Sequence, residues 1–76
     1  MNITERITIE PGKMGGRPCI RGLRITVATI TGLLAAGRTR EEILSLHPYL
    51  EDADITAALN YATLLANDRN VPFERA

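Results

Sequence analysis

Ile7 and Ile9 alternate with Thr8 and Glu10 in the stretch 6–10, the two-residue period of a half-buried strand, and Pro11-Gly12 stops it. A second extended piece is expected over Cys19 to Arg21. Gly12, Gly15, Gly16, Pro18 and Gly22 crowd this part of the chain and restrict it to short strands and turns. Beyond residue 26 the period lengthens to that of helices. A first helix begins after Thr26, whose hydroxyl can cap the free amides of the first turn, and buries Val27, Ile30, Leu33 and Leu34 until Gly37 ends it. Thr39-Arg-Glu-Glu42 reads as a capping box opening a second helix, with Ile43, Leu44 and His47 on one face and Pro48 fixing its end. Glu51, Asp52 and Asp54 stand where a helix N-terminus favours negative charge, opening a third helix over residues 52–67.

The third helix divides into three rows. Ile55, Ala58, Leu59, Ala62, Leu65 and Ala66 gather on one side at 100° per residue and form the core-facing stripe. Thr56, Asn60, Thr63 and Asn67 form a polar row, and Asn can form bidentate hydrogen bonds to adenine in a major groove. This row is the base-reading candidate, or else an ordinary solvated face. Ala57, Tyr61 and Leu64 make an apolar row outside the stripe, expected to stay exposed on a monomer and to be covered by a partner or a second copy. The fold class expected is mainly α, a short N-terminal β segment followed by three helices. Residues 1–26 supply short strands and a basic Gly-rich loop, 27–67 the tri-helical unit and 68–76 a tail, in one domain. Two helices joined by a turn of a few residues match the spacing of a helix-turn-helix.

Charge changes this picture. Residues 1–40 hold seven basic and two acidic residues, residues 41–76 two basic and seven acidic, so a formal net charge of zero conceals halves of +5 and −5. Such asymmetry points to an electrostatically guided partner, nucleic acid or protein. Lys13, Arg17, Arg21 and Arg24 lie within twelve residues with no acid between them. They can neutralise phosphates, bind carboxylates bidentately, or pair with the acids of the second half. Acids at the start of the third helix would repel phosphates, so DNA reading needs compensation from this basic segment.

At 76 residues the chain affords a small core, one that rarely supplies more than ~3–5 kcal/mol, and self-association into a homodimer is expected. Cys19 is the sole cysteine, which excludes an internal disulfide and a Cys-rich zinc framework and suits a reducing, cytoplasmic location. No signal peptide or membrane-spanning run is read. Cys19 and His47 form no evident nucleophile–base arrangement, and the acids before residue 55 are explained by helix capping. No enzyme, no metal site and no cofactor is therefore expected.

The run Gly15-Gly-Arg-Pro-Cys-Ile-Arg-Gly-Leu-Arg-Ile-Thr-Val27, then Leu33-Leu-Ala-Ala-Gly37, Glu41-Glu-Ile-Leu44, His47-Pro-Tyr-Leu50 and Asp54-Ile-Thr-Ala-Ala-Leu-Asn-Tyr-Ala62 resembles the DUF433 family. The family's Gly-Thr-Arg stands here as Gly22-Leu23-Arg24, and His47 occupies a position often aromatic. The resemblance implies a homeodomain-like tri-helical unit and a VapB-like antitoxin that silences a PIN-domain-like ribonuclease toxin and represses its own operon by binding operator DNA; the alternative is a protein-interaction module whose tri-helical unit dimerises and binds a toxin or other protein without binding DNA. A nuclease of that kind holds metal with clustered carboxylates, so Arg17, Arg21 and Arg24 are candidate partner contacts. The tail from Asn67 to Ala76, with Arg69 and Phe73, is the alternative, ordering on its partner.

Overall fold

The computed structural model describes residues 4–69. Two strands and three helices follow one another: β1 (Ile7–Thr8), β2 (Cys19–Ile20), α1 (Val27–Ala35), α2 (Arg40–Leu46) and α3 (Asp52–Arg69). The fold is mainly helical with a short antiparallel β segment at its start, as the pattern predicts. Both strands are shorter than the alternation suggests. They pair in the register Ile7 with Ile20 and Thr8 with Cys19, and the chain then turns at once. Arg21 (φ 46°) and Gly22 (φ 71°) are both left-handed, and Leu23 N–H closes the turn on the Ile20 carbonyl at 2.7 Å. Two such residues in succession make the tight hairpin turn whose twist suits flanking strands. Between the strands, Met14–Gly16 forms a tight turn in which all three residues are left-handed, at φ 52°, 69° and 78°.

The helices start where their caps dictate. Thr26 accepts the amide of Thr29, and Thr39 and Glu42 form a reciprocal capping box, each removing orphan amides from a helix start. Gly37, at φ 94°, takes the left-handed conformation that ends α1. The helix α3 runs to Arg69, two residues beyond the expected limit and into the segment read as tail. One core joins all elements: Ile7, Ile20, Ile25, Val27, Ile30, Ile43, Leu50, Ile55 and Ala58 are buried together. Leu33, Leu34 and Leu44 are half-buried at its margin, as is Leu23.

The stripe on α3 is covered only in part. Ile55 and Ala58 are fully buried, whereas Leu59 is exposed and Leu65 is 51% exposed. The expectation that the whole stripe packs internally fails at its distal half, for a reason of length. Eighteen residues make a helix about 27 Å long, while the nine of α1 and seven of α2 reach only about 13 and 10 Å. The row Ala57, Tyr61, Leu64 is corrected the other way: Ala57 and Tyr61 are half-buried against the core and only Leu64 is largely exposed, at 60%. No helix among the described residues is long and apolar enough to cross a membrane.

Candidate functional site

Three arginines from the basic half meet the acids at the start of α3. Asp54 sits on the apolar side of α3, next to Ile55, and its carboxylate is fully buried. Arg6 Nη1 donates to Oδ1 at 2.8 Å, Arg21 donates through Nε and Nη2 at 3.0 and 2.9 Å, and the Glu51 amide donates to Oδ2 at 2.8 Å. Burial alone would push this carboxyl up, but the bonds from Arg21, the Glu51 amide and Arg6 outweigh it and hold the acid below its ordinary value of 3.8. Arg6 also reaches Glu51 at 2.8 Å and Arg21 the Tyr49 carbonyl at 3.1 Å. The left-handed backbone of Arg21 points its guanidinium across the sheet to α3, and its amide bonds the Arg6 carbonyl at 3.0 Å. This cluster fastens both strands to the turn between α2 and α3. Sequence reasoning placed Asp54 at the helix dipole and overlooked Arg6. A partial signal was available: Asp54 lies four residues before Ala58 and so at the margin of the core-facing stripe.

The third arginine, Arg40, joins α2 to α3. Arg40 grips both Asp52 carboxylate oxygens at 2.8 and 3.0 Å and donates to Thr56 Oγ1 at 2.6 Å. Arg40 lowers the Asp52 carboxyl below its ordinary range. Of the polar row, Thr56 is therefore engaged by Arg40, and Thr63 donates its hydroxyl to the Leu59 carbonyl at 2.9 Å. Asn60 is exposed and its side chain makes no hydrogen bond among the described residues.

The basic segment is divided rather than united. Arg21 faces inward on Asp54, and Lys13 donates to the Gly22 carbonyl and lies 3.5 Å from Glu10. Arg17 and Arg24 are exposed without an ion pair among the described residues, and so is Arg38, which sequence reasoning did not single out. The side chain of Arg69 and all of Phe73 lie outside the described residues.

Two grooves of about 220 Å³ each flank Tyr61. The first lies between the N-terminal segment and α3, with Ala57, Tyr61 and Leu64 on one wall and Thr4, Glu5, Arg6 and Asn60 around it. The second is bounded by Pro18 and by Val27, Ala28 and Thr31 of α1, facing Tyr61, Ala62 and Leu65 of α3, and carries no charged residue. Cys19 is buried, and its thiol donates to the Arg17 carbonyl. Among the described residues no group of three or more His, Cys, Asp or Glu is placed to hold a metal ion. His47 lies in the turn after α2, with Nδ1 3.0 Å from the Tyr49 hydroxyl.

Comparison with known proteins agrees with this architecture. The family described as "Protein of unknown function (DUF433)" matches residues 7–62. A crystal structure of a DUF433 member protein from Anabaena variabilis superposes with a TM-score of 0.77 at 34% identity, covering 86% of this chain and 66% of that one. An uncharacterized protein of Sinorhizobium fredii, y4eO, is 36% identical over 58 residues, 76% of this chain but 26% of that protein's length.

Proposed function

Since the chain belongs to the DUF433 family, we propose that it is the antitoxin of a type II toxin–antitoxin pair, a non-catalytic protein that binds and inhibits a PIN-like ribonuclease. The observation that supports this reading best is the groove beside Leu64. One wall is apolar, from Ala57, Tyr61 and Leu64, with Glu5, Arg6 and Asn60 beside it, a mixture of apolar and polar groups such as non-obligate protein interfaces use. Arg17 and Arg24 remain available to meet the carboxylates of a nuclease site, whereas Arg21 is held by Asp54.

The test is inhibition of RNA cleavage by the PIN-like nuclease of the same operon, with Leu64→Asp as the discriminating variant. Loss of inhibition by Leu64→Asp, with helix content unchanged by circular dichroism, supports the reading. Full inhibition by that variant, or no complex with the wild type, overturns it.

A second reading, autorepression through operator DNA, is favoured by the exposed Asn60 of α3 and by the neutralisation of Glu51, Asp52 and Asp54 by Arg6, Arg40 and Arg21. A phosphate approaching the start of α3 meets ion pairs instead of bare acids. Asn60→Ala should then abolish preference for the protein's own promoter over a scrambled duplex, whereas Leu64→Asp, which removes nuclease inhibition, should leave that preference intact.

A further inference from the structure

From Ile55 to Asn67 the sequence contains no charged residue. The proximal part of this stretch is buried at Ile55 and Ala58, but from Leu59 onward the stripe is only partly covered, with Leu65 half in water. The groove beside it, between α1 and Ala62, is likewise uncharged. We infer that a second copy of this chain covers this part of the stripe, α3 lying antiparallel to α3 about a two-fold axis between Thr63 and Leu64.

Three observations select a second copy as the occupant. A face that meets itself across a two-fold axis brings like groups together, so it must be free of charge near the axis, and this one is. The groove beside Leu64, with Glu5 and Arg6, does not meet that condition. Large and small residues are also self-complementary. In an antiparallel pair, facing residues keep a constant sum of their numbers, so the register that sets Leu65 over Ala62 of the second copy also sets Ala66 over Tyr61. Leu65 and Tyr61 then each face an alanine, and the reciprocal pairs follow by symmetry. Finally, a core of this size calls for a further staple, commonly a disulfide, a metal or a second subunit. The lone buried Cys19 supplies no disulfide, and the described residues offer no metal cluster. Association through the apolar groove extends the core across the axis, as homodimer interfaces do.

The experiment is sedimentation velocity of the full chain on dilution, for the wild type, Leu65→Asp and Leu64→Asp. The expected result is a dimer for the wild type and for Leu64→Asp, and a monomer of unchanged helix content for Leu65→Asp, whose side chain is too exposed to be required for the monomer's core. A cysteine pair gives an independent readout: Ala62→Cys with Leu65→Cys should yield an oxidised covalent dimer, and Cys19, being buried, should yield none alone. A monomeric wild type, a dimeric Leu65→Asp, or failure of the cysteine pair to cross-link overturns the inference. The inference stands apart from nuclease inhibition, which is read at Leu64. A monomeric Leu65→Asp that still inhibits confirms the dimer surface, and a wild-type dimer that inhibits nothing defeats only the antitoxin reading.

Discussion

At the scale of single residues, Asp54 is the charged side chain that the described residues bury completely. Its carboxylate is removed from water and survives as an anion because four donors from Arg6, Arg21 and the Glu51 amide surround it. Removing one member of a buried pair costs about 3–5 kcal/mol, comparable to what a core of this size provides. Asp54→Asn keeps the shape but lacks the charge, and is expected to destabilise by about 3 kcal/mol, measured by urea titration of the helical signal. The pH dependence follows from the depressed value. A carboxyl whose folded value lies below the unfolded one stabilises fully above the ordinary 3.8, and that stability is lost as the pH falls through the folded value. The wild type should therefore lose stability steeply below about pH 4, and Asp54→Asn should show a shallower slope there. An equal slope in both proteins would assign the acid transition to other carboxyls. Arg21 adds a second residue-scale test, because its positive φ is costly for any side chain but glycine. Arg21→Gly relieves the backbone yet deletes three hydrogen bonds to Asp54, so net destabilisation in urea is the expected outcome, and a gain in stability would show that backbone strain outweighs the ion pair.

At the scale of elements, helix starts were legible and helix surroundings were not. Thr26 and Thr39 announce α1 and α2 because capping depends on neighbours three residues away, information wholly local to the sequence. Thr39→Ala removes one half of the capping box and should cost about 1 kcal/mol, a fall in Tm of roughly 4–8 °C for a domain of this length. An unchanged Tm would mean that tertiary packing, not the cap, fixes the start of α2. The strands were legible as elements but not in length, since the turn at Arg21-Gly22 that curtails them needs a left-handed arginine no pattern announces. The stripe on α3 was read correctly as a periodicity and wrongly as an interior. Periodicity says which residues share a face, and only the lengths of α1 and α2 decide how much of that face is covered. For the same reason Ala57 and Tyr61, placed outside the stripe, turn out half-buried beneath the N-terminal segment.

At the scale of the whole molecule, folding turns two oppositely charged halves into a largely self-neutralised body. Arg6, Arg21 and Arg40 spend their charge on Glu51, Asp52 and Asp54, and Lys13 lies against Glu10. The asymmetry of the sequence thus has an internal explanation for four of its seven N-terminal cations, and leaves Arg17, Arg24 and Arg38 without an ion pair among the described residues. This division sets the salt dependence of any DNA complex. Each phosphate neutralised contributes a slope of about −0.9 in log affinity against log salt. All seven N-terminal cations would give about −6 per chain, the three unpaired ones no more than about −3. Binding to duplex DNA measured across a salt series should therefore fall near the smaller slope, losing about one unit on Arg17→Ala and about one on Arg24→Ala. Arg21→Ala, judged on protein shown to be folded, should leave it unchanged. A slope near −6 per chain would mean that the Asp54 cluster opens on DNA, releasing the arginines that the free protein uses to hold its strands to α3.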